Sequence, residues 1–264
     1  MITSTSNSKI KQLVQWNQKA RARKEDQVFL AEGVKMFQEA PMAWIREVFL
    51  TEELMKRLSQ PLLEKLNSLP FETVSEEVFK KAADTQSPQG ILCVLHQPEY
   101  GLQDLGIYGQ DALLMVLEDL QDPGNLGTIL RTGEGAGVTG VLMSRNTVDL
   151  FNPKTIRATM GSIYRMPFLY VDSLEQAVQQ LQQSGVHVYA AHLEGKTEHY
   201  QENYKGKTAF LIGNEGNGLK PETAALADTY IRIPMEGQVE SLNAAIASAI
   251  LMYEAARQRK ETER

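Results

Sequence analysis

The chain has 264 residues, 42% of them apolar, with a formal net charge of −6 and one cysteine, Cys93. This is a folding chain with a real core and room for two moderate domains; it excludes an intrachain disulfide and a cysteine-clustered zinc site, and lacks the charge footprint of a general polyanion binder. No stretch is apolar and long enough to cross a bilayer, and Met1-Ile-Thr-Ser-Thr-Ser-Asn7 lacks the apolar core of a secretory signal, so the expected location is the cytoplasm.

Ile10, Leu13, Val14 and Trp16 give residues 8–24 a helical pattern. Among them lie Lys9, Lys11, Lys19, Arg21, Arg23 and Lys24, all ahead of the first acid, Glu25. This basic arm reads as a solvated helix face, or as phosphate contacts if other features point to nucleic acid. Strands are expected at 27–31, 45–50, 71–74 and 91–95, the last burying Cys93. Short helices are expected at 33–40, 52–58, 61–69 and 75–83, with Ser75 as a cap. These elements form a small α/β domain over residues 1–96. Pro98, Gly101, Gly106 and Gly109 mark 97–110 as a linker. Over 111–264, strands at 112–118, 139–143, 187–192, 208–213 and 229–234 alternate with helices at 126–136, 153–163, 173–184, 221–226 and 242–259. That alternation predicts a mostly parallel sheet. The last helix is apolar in its first half and charged from Glu254, so the first half must pack on the sheet or on a partner subunit.

Three segments of this second domain carry the chemistry. Asp122-Pro-Gly-Asn-Leu-Gly-Thr-Ile-Leu-Arg131 and Gly213-Asn-Glu-Gly-Asn-Gly-Leu219 follow apolar strands, and Ile233-Pro-Met-Glu-Gly-Gln-Val-Glu-Ser-Leu-Asn-Ala-Ala245 begins at the end of one. Open α/β sheets bind ligands at the carboxyl ends of their strands, so three such loops point to one composite site. Each also has a plainer reading. Asn125 is placed to cap a helix, and Arg131 either pairs with an acid such as Glu134 or grips a phosphate or anionic transition state. The second loop is a glycine turn before Pro221, or a place of close approach to a ligand. It lacks the Lys-Ser/Thr ending of a P-loop, and Glu215 at its centre would repel phosphate. Ser241 is a candidate cap for the closing helix, with Leu242 and Asn243 its first residues. The four histidines lack metal-ligand spacing, and Gly133-Glu-Gly-Ala-Gly137 lies in or after a helix, a poor dinucleotide fingerprint.

Together the three segments resemble the motifs of the SpoU-type (TrmH-like) RNA ribose 2′-O-methyltransferases of the SPOUT superfamily. Asn-x-Gly-x-x-x-Arg falls on Asn125 to Arg131, Gly-x-Glu-x-x-Gly on Gly213 to Gly218, and Ile-Pro-Met-x-Gly…Ser-Leu-Asn on Ile233 to Asn243. Phe29-Leu-Ala-Glu-Gly33 and Pro88-Gln-Gly-Ile-Leu92 are similar to phrases of the substrate-binding domain often fused to this family, which is akin to ribosomal proteins that bind kinked RNA. The resemblance implies an α/β chain with a C-terminal trefoil-knotted, parallel-sheet methyltransferase domain and a smaller N-terminal α/β substrate-binding domain. It implies S-adenosylmethionine held by Gly213, Ile233, Met235, Leu242, Asn243 and Ala244, and a catalytic set of Arg131, Asn125, Glu215, Ser241 and Asn243. It implies a homodimer with the site at the subunit interface. The separate N-terminal domain favours ribosomal RNA as substrate; transfer RNA, a resistance methyltransferase and a non-catalytic RNA-binding member are the other readings. With RNA as partner, Lys9, Lys11, Lys19, Arg21, Arg23, Lys24 and Arg157 are expected to meet phosphates. The glycines of 133–137 exceed the family's usual number and are expected to loosen the helix carrying Arg131.

Overall fold

The computed structural model describes residues 1–262. It divides into two compact units: Met1–Glu99 with Asp149–Tyr164, and Tyr100–Val148 with the chain from Arg165 onward. In the first unit, Asn7 starts α1 (Ser8–Gln18) by accepting the Lys9 N–H on its side-chain oxygen at 2.9 Å, and α1 buries Ile10, Leu13 and Trp16. Lys19 is extended and separates α1 from α2 (Ala20–Asp26), so the helical pattern of 8–24 is two helices. There follow β1 (Val28–Glu32), α3 (Val34–Glu39), β2 (Ile45–Thr51), α4 (Glu52–Met55), α5 (Gln60–Asn67), β3 (Phe71–Val74), α6 (Glu76–Ala82, capped by Ser75) and β4 (Ile91–His96). The sheet runs β1-β4-β2-β3, with β4 antiparallel to both neighbours and β3 parallel to β2. Cys93 is buried in β4, and desolvation pushes its thiol up to about 12 against a small opposing pull from Lys65.

The chain continues with β5 (Leu113–Leu117), α7 (Pro123–Ala136), β6 (Gly140–Ser144), α8 (Pro153–Thr159), β7 (Phe168–Val171), α9 (Leu174–Gln183), β8 (His187–Ala191), β9 (Thr197–Glu198), β10 (Thr208–Ile212), α10 (Pro221–Ala224), β11 (Thr229–Arg232) and α11 (Ala244–Thr262). Except for α8 these build the second unit, a seven-stranded sheet in the order β7-β6-β5-β10-β8-β11-β9 whose pairs are all parallel. β5, β6 and β10 are buried along their whole length, as strands covered on both faces must be. Leu174, Ala177, Val178 and Leu181 place one stripe of α9 against Leu114, Val116, Leu142, Val188 and Leu211. α11 packs against α7 and β10.

Three expectations change here. Leu105 and Ile107, within the expected linker, belong to the core of the second unit. Gly140 makes room for Leu105, since a Cβ there would lie 2.6 Å from that of Leu105. β7 and β9 were not expected: one is four residues long behind Pro167, the other two, too short for a period to register. The glycines of 133–137 do not interrupt α7, which is continuous to Ala136. Gly133 packs closely against Val138. Gly137 takes the left-handed conformation (φ +82), with Val138 N–H donating to the Gly133 carbonyl at 2.8 Å and Gly137 N–H to that of Glu134 at 3.3 Å, a Schellman ending.

The segment 149–164, placed by sequence in the second domain, packs within the first unit. Its α8 lies against β1, and the Phe151 ring is 5.1 Å from that of Phe29. α8 also stops at Thr159, with a short 3-10 turn over Ser162–Tyr164. Arg23 ties the segment down. It is 3% exposed, donates to Asp149 at 2.5 Å and to the carbonyls of Trp16 and Asn17. Arg23→Leu orphans those acceptors and is expected to cost roughly 2–3 kcal/mol, read as a lower urea midpoint by tryptophan fluorescence. An unchanged midpoint would refute this role.

Candidate active site

Because the second sheet is parallel, all its carboxyl ends share one edge, and the three motif loops leave from β5, β10 and β11 along it. At the β5 exit Asp122, not Asn125, caps α7: its Oδ1 accepts the Asn125 N–H at 2.8 Å, and Pro123 takes the first helical position. This leaves the Asn125 side chain for other contacts. After β10, Asn214 and Gly218 exchange backbone hydrogen bonds at 3.0 and 2.9 Å. The Asn214 side-chain oxygen accepts from Gly216 and Asn217, and its amide donates to the Asp119 carbonyl at 2.8 Å. That closed loop presents Glu215 toward the β5 exit.

Glu215 Oε1 accepts from the Asp122 N–H at 2.9 Å and from Asn125 Nδ2 at 3.0 Å, and Oε2 accepts from the Gln121 N–H at 3.0 Å. Asn125 Oδ1 in turn accepts from Asn243 Nδ2 at 2.9 Å. Asn243 Oδ1 accepts the N–H groups of Ala245 and Ile246 at 2.9 and 3.3 Å, so Asn243, rather than Ser241, caps α11. The relay has a fixed sense. A carboxylate only accepts and helix N–H groups only donate, so both asparagine amides between them are locked in one orientation. Desolvation works to raise the Glu215 carboxyl, but the Asn125 amide and the Gln121 and Asp122 N–H groups outweigh it and hold it below the usual carboxylate range. Glu215 is therefore an anion that organises the loops.

Asn243 reaches Asn125 although β11 lies three strands from β5. Residues 233–243 thus run back across the carboxyl ends of β8 and β10. From Pro234 to Leu242 no backbone group is hydrogen-bonded among the described residues. Beside these free donors and acceptors Ile233, Met235 and Leu242 are half-buried and Ala244 is buried. Backbone donors next to apolar side chains suit a small ligand with a polar edge and an apolar face. Sequence reasoning missed a fourth loop, 192–196 after β8. It lies directly on β11, for a Cβ on Gly195 would meet Ile231 C at 2.6 Å, and it exposes Leu193. The signal was present in the sequence: a glycine, Gly195, just after an apolar strand.

Arg131 is exposed on α7, and its side chain makes no ion pair or hydrogen bond among the described residues. Glu134, its candidate partner, is engaged by Arg165, whose Nη2 donates to Oε2 at 3.2 Å. Ser241 is exposed. Of the residues expected to meet phosphates, Lys9 is held by Glu47 and Glu72, Arg21 pairs with Glu25 at 2.6 Å, Arg157 pairs with Asp84, and Arg23 is buried. Arg23 thus departs from its expected phosphate contact, since a buried guanidinium already bound to Asp149 presents no donor to RNA. Lys11, Lys19 and Lys24 are exposed without ion pairs among the described residues.

A parallel α/β sheet whose carboxyl edge gathers three loops into one hydrogen-bonded site defines a ligand-binding α/β domain. The chain belongs to the SpoU rRNA Methylase family, whose model matches residues 112–253. The MRM3-like substrate binding domain matches residues 7–93. The chain is 31% identical over 253 residues to the 23S rRNA (guanosine(2553)-2'-O)-methyltransferase RlmP of Bacillus subtilis, covering 96% of this chain and 97% of that protein. It is 33% identical over 270 residues to an uncharacterised tRNA/rRNA methyltransferase of Synechocystis, covering 97% and 93%. Among solved structures, the AdoMet-bound rRNA methyltransferase from Sinorhizobium meliloti superimposes with a TM-score of 0.86 at 31% identity, covering 97% of each chain.

Proposed function

We propose that this chain transfers the methyl group of S-adenosylmethionine to a ribose 2′-hydroxyl of ribosomal RNA. The observation that carries the reading is the Glu215–Asn125–Asn243 relay, which joins all three family motifs, with an unpaired arginine on the same helix. When bound, the cofactor supplies an electrophilic methyl group on a sulfonium. Gly213, Ile233, Met235, Leu242, Asn243 and Ala244 would hold it, the free backbone groups of 234–242 meeting its polar edge and the half-buried side chains its flat faces. Arg131 stays charged at any working pH. Its planar fork fixes the phosphate next to the target ribose and stabilises the oxyanion that develops there as the 2′-hydroxyl gives up its proton to solvent. Asn125 and Glu215 keep the loops in register, and Ser241 and Asn243 orient the ribose. Lys11, Lys19 and Lys24 are the arm residues left accessible for phosphate.

Ribosomal RNA is favoured over transfer RNA by the match of the N-terminal residues to a substrate-binding domain and by the name of the B. subtilis relative. Such a substrate places the protein in the cytoplasm. The working form is a homodimer built on α7 and α11, and the packing of α11 on α7 and β10 agrees with a trefoil knot. Ile246 and Tyr253 on α11 are 52% and 54% exposed, and the Tyr253 hydroxyl borders α7 at Gly135. Tyr253→Asp is expected to shift the dimer to monomer in light scattering and to lower methyl transfer by about tenfold or more through a misplaced site; a monodisperse dimer with full activity would overturn the interface. The reaction itself is tested with in vitro transcripts of ribosomal and transfer RNA, a labelled methyl donor and mapping of 2′-O-methyl groups. One modified ribose in ribosomal RNA is the expected result, and label confined to transfer RNA would replace the substrate.

A further inference from the structure

The β5 exit carries two acids that the proposed reaction does not use. Glu118 is 3% exposed, and a carboxylate is buried to that degree only when its oxygens are engaged. Its Oε2 accepts the Lys220 N–H at 2.8 Å and its Oε1 accepts the Thr223 hydroxyl at 2.5 Å. Its own N–H donates to the Ile212 carbonyl at 2.8 Å, extending the ladder with β10. Lys220 Nζ stands 3.7 Å from Oε1 and bonds Asp119 Oδ2 at 2.7 Å, while Asp119 Oδ1 accepts from Ser144 at 2.7 Å. The two acids therefore share one ammonium as counter-charge.

The Gly-rich loop is thus fastened to the β5 exit at both ends. At its start the Asn214 amide holds the Asp119 carbonyl; at its finish the Lys220 N–H is held by Glu118. Glu215 lies between the two fastenings, and its own acceptors reach forward to Gln121, Asp122 and Asn125. The strand-end acid that binds the finish of one motif loop thus also begins the other.

We propose that Glu118 is a positioning residue for methyl transfer, whose buried carboxylate fixes the finish of the Gly-rich loop and thereby the place of Glu215 and Asn125. This rests on the catalytic reading of Arg131 and Glu215 given above. The working contacts are the two hydrogen bonds. Glutamine in place of Glu118 can keep both, because its oxygen accepts from the Lys220 N–H and its amide donates to the Thr223 hydroxyl, which turns to accept. Alanine keeps neither and leaves the loop end unheld.

The test compares Glu118→Ala, Glu118→Gln and Thr223→Val with the wild-type full chain, using labelled S-adenosylmethionine and an unmodified ribosomal RNA transcript. The expected result for Glu118→Ala is a kcat lower by about tenfold or more, since small misplacements of reacting groups are costly, with cofactor affinity by calorimetry within about threefold of wild type. Glu118→Gln is expected to restore kcat to within about threefold. A purely structural acid would lower the melting temperature without this split and without rescue. Wild-type kcat in Glu118→Ala, or equal loss in both substitutions, overturns the proposal. If Glu118→Ala does not fold, Thr223→Val, which removes one hydroxyl from a buried site, carries the test: a lowered kcat at unchanged cofactor affinity supports it, and wild-type kcat overturns it. Arg131→Ala is assayed alongside. If it turns over normally the catalytic reading fails whatever Glu118 does; if it is inactive and Glu118→Ala is normal, only the positioning role fails.

Discussion

Arg131→Ala is expected to lower kcat by about 100-fold or more, as the loss of a single oxyanion donor does in other acyl and group transfers, while cofactor affinity and melting temperature stay near wild type. The separation follows from what the side chain touches. Arg131 is exposed and has no partner among the described residues, so its removal orphans no buried group and breaks no ion pair. The residues expected to hold the cofactor lie on the loops after β10 and β11, and the relay that organises those loops runs through Asn125, not Arg131. A charge kept on the surface without a partner does little for folding, whereas beside RNA it meets phosphate and the developing oxyanion. Arg131→Lys sharpens the test. It keeps the charge and loses the planar fork, so a lysine variant close to alanine in kcat assigns the effect to bidentate geometry, and recovery toward wild type assigns it to charge alone. Single-turnover methylation of the ribosomal RNA transcript, with calorimetric cofactor titration, reads both quantities. Wild-type turnover in Arg131→Ala would remove Arg131 from the catalytic set.

What could be read from the sequence, and what could not, divides along contact distance. The three loops were legible because each sets Gly, Pro or Asn directly after an apolar run, a local signal. The bonds that make them one site join residues 90 and 118 positions apart, which no period or spacing encodes. The same limit governs the basic arm. Six cations before the first acid look free along the chain, yet Lys9 finds Glu47 and Glu72 across the first sheet, and Arg23 finds Asp149 126 positions away. Caps erred by small steps for a related reason. Asn125 and Ser241 are both good cap types, but Asp122 and Asn243 hold those places because Pro123 starts α7 early and α11 begins only at Ala244. In both helices the asparagine of the motif is where the loops meet.

Gly213→Ala carries the second large expected effect, and its cause is space, not torsion. Gly213 is not among the residues with positive φ. A Cβ at this position would lie 2.1 Å from both Gly218 C and Leu219 N, and these are backbone atoms that cannot swing aside. The chain must therefore open the paired bonds between Asn214 and Gly218 at 3.0 and 2.9 Å. Opening them moves Asn214 off the Asp119 carbonyl and carries Glu215 away from Gln121, Asp122 and Asn125. Overpacking of this kind costs about 1–3 kcal/mol or more, and the loop that yields is the one expected to hold the cofactor. The expected results are a melting temperature lowered by several degrees, a cofactor dissociation constant raised about tenfold or more, equivalent to about 1.4 kcal/mol, and methyl transfer reduced further still. Gly216→Ala is the control within the same loop. Gly216 is exposed, its φ is not positive, and a Cβ there meets only the Asn214 side-chain oxygen at 3.5 Å, an ordinary contact. Calorimetric cofactor titration of the two variants side by side decides the matter. A loop that needs glycine for close packing loses affinity at 213 and keeps it at 216; equal behaviour at both positions would mean that the Gly-rich loop rearranges freely and does not hold Glu215 in a fixed place.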